Sequence, residues 1–404
     1  MMQKRARLTS RTLAGLVTVA AMLLGGAMPA AAAPSYFTEV TGSRLRVDGD
    51  FVPLVGHFSG LTYDDVVWFS RSGPDRIWSG GHHGITPDDV FTKPPLNVDM
   101  GDGFDPVVGD FSGDRRDDIY WVRQSAPGSD VLWTTTAAHR FAVTAVPHLP
   151  GAITVHLPDS DTGPSKDDLV RLGTNGSGGT LWVFPETGSG VPTATALPPH
   201  PSAGPFMAGD FDGNGVADLL STGTGSTPAK VWSRASGTAT TFTTKTVGPG
   251  SGGTGIVGRF GKVTDERRDI IFTGDGQASS GLTFHPARAL LWESKADGTF
   301  VRSTIDLGTT SAYLTPVQGT SRDLLLMAYV FVKPIYAPSP KPPITGDTVW
   351  YQTATGPITR ATGNRDLLAA GLAVAVPGRF ASSSRQDVFA YAPGTATDRL
   401  LKIR

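Results

Sequence analysis

The sequence predicts an all-β fold: seven antiparallel sheets of four short strands each, packed side by side around an axis. Three observations predict it. A pattern of about fifty residues recurs along the chain, the mark of one supersecondary unit repeated. Of 36 acidic residues only Glu39, Glu186, Glu266 and Glu293 are glutamates; aspartate competes for its own backbone in turns, whereas glutamate favours helix interiors. The 50 glycines and 31 prolines among 404 residues add further turn chemistry. Together these features argue against helical bundles and parallel α/β folds.

Each unit opens with a short apolar strand ending in Gly-Xaa-Phe, passes through a polar loop, and reaches an aspartate that opens a second apolar strand. The clear copies are VGHFSGLTYDDVVWFS (55–70), VGDFSGDRRDDIYWVR (108–123), AGDFDGNGVADLLST (208–222), VGRFGKVTDERRDIIFT (257–273) and PGRFASSSRQDVFAYA (377–392). Two weaker copies are TVHLPDSDTGPSKDDLVRL (154–172) and TPVQGTSRDLLLMAY (315–329). The aspartates opening the second strands are read as Asp65, Asp118, Asp168, Asp218, Asp269, Asp323 and Asp387, spaced 53, 50, 50, 51, 54 and 64 residues apart.

A third strand is centred on Trp78, Trp133, Trp182, Trp232, Trp292 or Trp350, with leucine in that place in the last copy, DRLLKI. A fourth apolar segment follows in most copies, such as TTFTTKTV (240–247) or TFVRSTIDL (299–307). One such sheet cannot bury both faces alone, whereas seven packed radially bury them against one another. The last copy ends after its third strand, and YFTEV (36–40) has no sheet of its own. The N-terminal strand is therefore expected to complete the seventh sheet and leave no long open edge.

These repeats resemble the FG-GAP or VCBS family, the seven-bladed β-propeller modules of the integrin α-subunit N-terminal domain, many secreted bacterial proteins and some fungal lectins. The resemblance rests on Gly-Asp-Phe-Asp-Gly-Asn-Gly at 209–215 in its strand context and covers residues 36–404 as a single domain. It implies a propeller fold with calcium in the loops between first and second strands. It leaves the chemistry open, because the fold hosts adhesion, carbohydrate binding and enzymes alike.

The loop at 209–218 offers side-chain oxygens at Asp210, Asp212, Asn214 and Asp218, with the Val216 carbonyl between the last two. A tight loop turns every second residue inward and Gly215 permits the reversal, so the set matches the oxygen ligands that calcium takes. The loop at 110–118 offers Asp110, Ser112, Asp114 and Asp118 with the Arg116 carbonyl, although Arg115 stands at the glycine position. Asp159, Asp161 and Asp167 form a looser third set. A metal-free Asx-turn reads the same residues. Elsewhere His57, Arg259 and Arg379 stand where the first ligand belongs, and Gln318 opens a shortened loop. A guanidinium there repels calcium but can reach a neighbouring carboxylate and do the same structural job. Those copies read as metal-free, and calcium, where present, as structural.

The regular place of the tryptophans favours packing between sheets over sugar stacking, with Trp68 and Trp121 on second strands also read as core. None of the eight histidines has triad or metal spacing, and His82 and His83 point to opposite faces of an extended chain. No nucleophile-base order, phosphate loop or zinc-protease motif is visible, so no catalytic residue is assigned. An enzyme acting on extracellular polysaccharide, a lyase or hydrolase, is the alternative to a binding module, and a structural spacer comes third.

Loop length marks a binding region. The distance from the strand-opening aspartate to the tryptophan is 23 positions for Asp269 to Trp292 and 27 for Asp323 to Trp350, against 13 to 15 in the first four copies. Both enlarged loops belong between second and third strands of neighbouring sheets, on the face opposite the calcium loops. Phe284, His285, Arg288, Phe331, Lys333, Tyr336 and Lys341 are the candidate contacts for an extracellular glycan or protein surface. Drift in surface loops is the competing reading.

Residues 1–33 read as a secretory signal: a cationic start, an apolar run from Leu13 to Leu24, and small residues at Ala30 to Ala33. Gly25, Gly26 and Pro29 interrupt that run short of a membrane span. Without Lys4, Arg5, Arg7 and Arg11, 31 of the 35 basic residues face 36 acidic ones, and no basic stripe suits nucleic acid. The expectation is a secreted, extracellular monomer without membrane insertion after cleavage. Zero cysteines exclude disulfides, zinc-thiolate sites and thiol nucleophiles.

Overall fold

The computed structural model describes residues 37–39 and, with interruptions in the loops, 46–403. The longest stretches outside the description are 1–36, 82–90, 159–165, 198–204, 274–288, 330–347 and 361–373. Residues 33–404 form one compact unit. Among the described residues 27 strands make seven antiparallel sheets, six of four strands and one of three.

Sheet 1 holds Val52–Gly56, Asp65–Phe69 and Arg76–Trp78; sheet 2 holds Phe104–Gly109, Asp118–Arg123, Asp130–Ala137 and Arg140–Val146. Sheet 3 holds Ile153–Leu157, Asp168–Leu172, Thr180–Val183 and Thr193–Ala196; sheet 4 holds Phe206–Gly209, Asp218–Ser221, Pro228–Ser233 and Thr243–Pro249. Sheet 5 holds Thr254–Gly258, Asp269–Thr273, Ala289–Ser294 and Phe300–Ile305; sheet 6 holds Ala312–Val317, Leu324–Tyr329, Thr348–Gln352 and Ile358–Arg360. Sheet 7 holds Val374–Gly378, Asp387–Tyr391 and Arg399–Ile403, and its fourth strand is Phe37–Glu39, with Phe37 opposite Ile403 and Glu39 opposite Leu401. The first strands of successive sheets lie side by side in chain order, and that of sheet 7 lies beside that of sheet 1. The fold is an all-β propeller with antiparallel blades.

One register rule runs through the sheets. The glycine ending a first strand opposes the aspartate opening the second: Gly56 and Asp65, Gly109 and Asp118, Gly209 and Asp218, Gly258 and Asp269, Gly378 and Asp387. The next residue opposes the third-strand tryptophan, as Val66 does Trp78 and Ile270 does Trp292; in sheet 7 Val388 opposes Leu401. This rule corrects the assignment in sheet 6. Val317 opposes Leu324, and Leu325 opposes Trp350, so Asp323 stands one place before the strand-opening position. A one-residue offset sends a side chain to the other face.

Among the described residues sheet 1 has three strands, where four are expected. In the described part of the segment that would supply the fourth, only Thr92 pairs, with Ser79. Pro94 and Pro95 follow and supply no amide donors for a ladder. Phe91 is nonetheless buried in the core, and Leu96, Val98 and Met100 pack on the neighbouring cluster, so the segment covers apolar surface without pairing.

The core lies between sheets. Trp68 and Trp78 of sheet 1 pack with Phe389, Tyr391 and Leu400 of sheet 7, while Phe69 and Ile77 pack with Trp121 and Trp133 of sheet 2. Rings meet edge-on, with Trp68 and Phe389 at 5.5 Å and Phe69 and Trp121 at 4.8 Å between centroids, the arrangement their quadrupoles favour. The phenylalanines of the Gly-Xaa-Phe signatures, Phe58, Phe111, Phe211, Phe260 and Phe380, are all buried.

Polar junctions join the same neighbours. The residue between Gly and Phe gives its amide hydrogen to a carboxylate of the next sheet, and that aspartate's amide returns a bond to its carbonyl. His57 N meets Asp117 Oδ2 at 2.6 Å and Asp117 N meets His57 O at 3.3 Å. The pair Asp110 and Asp167 repeats it at 2.9 Å both ways, Arg259 and Asp323 at 2.8 and 3.2 Å, and Arg379 and Asp64 at 2.7 and 3.0 Å. Glycine precedes each donor because a Cβ would strike the incoming carboxylate or the packed ring that follows: 2.9 Å from Asp117 Oδ2 at Gly56, 2.7 Å from Asp167 Oδ2 at Gly109, and 2.5 Å from the Phe380 ring at Gly378.

Two junctions differ for readable reasons. From sheet 4 to sheet 5 only Arg268 N to Asp210 O remains, at 2.8 Å, because Arg268 replaces the aspartate. From sheet 3 to sheet 4 the donor position is Pro158, which has no amide hydrogen, and the acceptor position is Ala217. There the buried Arg234 guanidinium instead reaches Asp168 Oδ2 at 2.5 Å.

The link between sheets 7 and 1 is charged as well, with Arg379 Nε and a terminal guanidinium nitrogen 3.1 and 3.0 Å from Asp64 Oδ1. Asp64→Asn removes the charge-assisted bonds and is expected to lower unfolding free energy by about 1–3 kcal/mol in urea titration. A loss no larger than that of an exposed surface substitution contradicts the assigned role.

Candidate metal centre

The loops of sheets 2 and 4 between first and second strands share one backbone shape. Gly213 and Gly215 take φ of 84° and 83°, and Gly113 and Arg115 take 74° and 67° in the same places. Arg115 therefore adopts a left-handed conformation that costs a residue with a Cβ about 1–2 kcal/mol.

In the loop at 209–218, Asp210 organises the turn. Its Oδ1 accepts from Gly213 N at 2.7 Å and Asn214 N at 3.1 Å, and its Oδ2 from Gly215 N at 2.9 Å. Asp212 Oδ1 accepts from Asn214 N at 3.1 Å. The Asn214 side chain accepts from Val216 N at 2.8 Å and donates to Arg234 O at 2.7 Å. Asp218, fully buried, accepts from Phe211 N at 3.0 Å through Oδ2, while its Oδ1 is buried and takes no hydrogen bond. One oxygen from each of Asp210, Asp212 and Asp218 lies within 4.8 Å of the others.

Burial, then the charge of Asp212, pushes the Asp218 carboxyl up to about 7; burial also raises Asp210. A buried carboxylate oxygen without a donor carries an uncompensated desolvation cost. Three carboxylates with such an orphan among them suit a hard divalent cation, which takes oxygen ligands and supplies the missing charge.

The loop at 110–118 keeps the turn but not the convergence. Asp110 accepts from Gly113 N at 2.6 Å, Asp114 N at 3.2 Å and Arg115 N at 2.7 Å, and Ser112 Oγ lies 3.4 Å from its Oδ1. Asp114 Oδ1 accepts from Arg116 N at 3.0 Å. Asp118 Oδ1 accepts from Thr135 N at 2.8 Å, its Oδ2 is buried without a hydrogen bond, and burial followed by the charge of Asp110 pushes the carboxyl up to about 8. Among the described residues only Asp210, Asp212 and Asp218 gather as a three-carboxylate group.

Other expectations fare variously. Asp167 belongs to the junction, bonding Asp110 N and lying 2.8 Å from His156 Nε2, and so is no ligand of its own sheet's loop. Asp159, Asp161 and Gln318 lie outside the described residues, as do Phe284, His285, Arg288, Phe331, Lys333, Tyr336 and Lys341. Arg259 and Arg379 reach carboxylates of the next sheet, a substitution their guanidinium groups make possible. Trp68, Trp78, Trp121, Trp133, Trp232 and Trp292 are buried in packing, Trp182 is half-buried, and the Trp350 side chain lies outside the description.

Sequence reasoning missed a set of basic residues standing two places before the strand-opening aspartates. A Cβ on Gly60 would lie 2.8 Å from Arg116 Nε, on Gly113 2.9 Å from Lys166 Cε, and on Gly213 2.9 Å from Arg267 Cγ. Each long stem therefore crosses the loop of the preceding sheet. The signal was present, since Arg116, Lys166, Arg267 and Arg385 share that spacing from Asp118, Asp168, Asp269 and Asp387.

No protein-family model matches the chain, and no curated protein matches it. Among solved structures, an Agrocybe aegerita lectin described as recognising non-reducing terminal N-acetylglucosamine is similar at 14% identity and a TM-score of 0.56, over 86% of each chain. BBS1N, solved in complex with ARL6DN, is similar at 9% identity and a TM-score of 0.50, over 92% of this chain and 98% of that one. The rhamnogalacturonan lyase YesW aligns at 11% identity and a TM-score of 0.39, over 91% and 75%. At such identities the likeness is one of fold.

Proposed function

We propose that this chain is a secreted, calcium-stabilised, non-catalytic binding module of FG-GAP or VCBS type, a closed seven-bladed propeller that presents a recognition surface to extracellular glycan or protein ligands. Residues 1–33 act as its export signal. The pairing of Phe37–Glu39 with Arg399–Ile403, and the neighbouring of first strands from sheet 7 to sheet 1, support the closed ring.

One observation carries the binding reading. The two enlarged connections leave neighbouring sheets at the same end: Thr273 opposes Ala289 where residues 274–288 depart, and Met327 opposes Thr348 near the departure of 330–347. The opposite end of those sheets carries the first loops, at Gly258 opposite Asp269 and Val317 opposite Leu324. The two long connections, one rich in proline, thus depart from the same end of adjoining sheets. Stiff segments lose less entropy on binding. The lectin that shares the fold supports a glycan as ligand, and the BBS1N complex supports a protein surface.

The polysaccharide-acting alternative has less behind it. Asp64, Asp117 and Asp167 stand on successive sheets close enough for Asp117 to be pushed up to about 6, by burial first and then by Asp167 and Asp64. Each, however, is engaged with the preceding sheet's backbone, which fixes it for packing and leaves it poorly placed to transfer protons.

Asp210, Asp212 and Asp218 would hold calcium, with the Asn214 amide oxygen and Val216 carbonyl completing the set; the ion neutralises the loop and takes no chemical step. Saturating calcium is expected to stabilise the wild-type chain by about 2.7 kcal/mol at a hundredfold excess over Kd. Asp212→Ala, at a half-buried position, is expected to melt like wild type in chelator and gain little from calcium; an equal gain in both proteins contradicts the site.

A glycan array and an extracellular-protein array, each probed with residues 34–404 and with the variant Phe331→Ala plus Tyr336→Ala, test the recognition surface. Retention by wild type that falls at least tenfold in the variant, at unchanged melting temperature, is expected. Equal retention by both, or new reducing ends released from a polysaccharide, contradicts the proposal.

A further inference from the structure

An aspartate at the start of the third strand recurs in sheets 1, 2 and 7. Asp75, Asp130 and Asp398 stand three places before Trp78, Trp133 and Leu401. Each accepts an amide hydrogen from the connection that leads into the next sheet: Asp75 from Met100 N at 2.9 Å, Asp130 from Leu149 N at 2.8 Å and Asp398 from Val47 N at 2.7 Å. The residue before that amide is Asp99, His148 or Arg46, so the latch itself does not require an imidazole.

In sheet 2 the latch carries one. His148 Nδ1 lies 2.8 Å from Asp130 Oδ1. The carboxylate is buried and also accepts from Arg123 N at 2.9 Å, from Leu149 N and from the Tyr120 hydroxyl at 3.2 Å. A carboxylate that takes three other donors acts as an acceptor, so the proton of this contact sits on Nδ1 and the lone pair of the neutral ring on Nε2. Among the described residues Nε2 makes no hydrogen bond, and the side chain is 24% exposed. The ring is held in place: Leu149 beside it is buried, its carbonyl accepts from Nε of the buried Arg171 at 3.1 Å, and the same guanidinium reaches the Gly151 carbonyl. Tyr120 offers a ligand nothing, being buried with its proton on Asp130.

This imidazole lies at the end of the sheets read above as the recognition surface. Bonds between the first loops of neighbouring sheets set those loops at one end. Asp130, opposite Val146, marks the other end of sheet 2, the end from which sheets 5 and 6 send out their enlarged connections.

We propose that His148 is a ligand contact of this face, its Nε2 accepting a hydrogen bond from a sugar hydroxyl. The inference rests on the recognition reading and narrows its ligand to a glycan. A hydroxyl is slender enough to reach a recessed ring nitrogen, and the carboxylate behind the ring polarises it into a better acceptor. A side chain already fixed loses little entropy on binding.

Glycan and protein arrays probed with residues 34–404, with His148→Asn and with Phe331→Ala plus Tyr336→Ala test it. Asparagine keeps an amide nitrogen near the place of Nδ1, so the bond to Asp130 survives, and has no atom at the place of Nε2. Glycan retention is expected to fall about tenfold in His148→Asn at unchanged melting temperature, the loss of one ligand hydrogen bond. Equal retention by wild type and His148→Asn overturns the proposal, and a fall confined to the loop variant does so while keeping the recognition reading. A fall in His148→Asn but not in the loop variant keeps this proposal and overturns the role of the loops. Retention of proteins alone, or of nothing, overturns the glycan. New reducing ends released by wild type and not by His148→Asn overturn the acceptor role, since the imidazole then transfers a proton. Should His148→Asn not fold, the imidazole 15N signals of wild type decide: a retained glycan is expected to shift that of His148 Nε2, and an unchanged signal overturns the proposal.

Discussion

At four of the interfaces between sheets, the residue after the first-strand end and the residue before the next second strand exchange two hydrogen bonds. That exchange fixes the spacing of the sheets, and much of the remaining sequence pattern follows from it. Glycine precedes the donor because the carboxylate, the following phenylalanine ring, or both approach too closely for a Cβ. Phenylalanine follows because the chain then turns into the interface. Charged donors such as Arg259 and Arg379 add their guanidinium groups to the same carboxylates, making the bond stronger than a neutral one. Where proline removes the donor at residue 158, the buried pair of Arg234 and Asp168 takes over at the same interface.

Much of this was legible in the sequence. The repeat, the register of aspartate against glycine and the tryptophan on each third strand all sit within about fifty residues of one another, so periodicity finds them. What lies across an interface was less legible. The partner of His57 is Asp117 and that of Arg259 is Asp323, each some sixty residues on, and nothing local distinguishes Asp117 from its neighbour Asp118. The misplacement of Asp323 is that ambiguity in a shortened loop that has one aspartate where others have two. That the described residues of sheet 1 hold no fourth strand was readable in Pro94 and Pro95, whose lack of donors outweighs the apolar pattern around them.

The aspartate-rich loops divide by the charge that reaches them. In both, an aspartate at the first position turns the backbone through three amide hydrogens, so the shape survives whether or not an ion is present. What varies is the set of charges around the loop. Lys166 and Arg267 cross the loops of sheets 2 and 4 from the adjoining sheets, sheet 4 alone among the described residues gathers three carboxylates, and in sheets 5 and 7 the arginine at the first position reaches a carboxylate of the next sheet. The enlarged connections of sheets 5 and 6, proposed as the binding surface, leave from the other end of the sheets, where chain length is free to change without touching the junctions.

The most direct test of the account is native-state hydrogen exchange at the donor amides of His57, Asp110, Arg259 and Arg379. If the junctions hold the sheets as one cooperative ring, these four amides exchange only on global unfolding, with a shared free energy and denaturant slope. An Arg379 amide that exchanges by local opening, well before the other three, would mean that the two ends of the chain are not locked together, and would contradict the account.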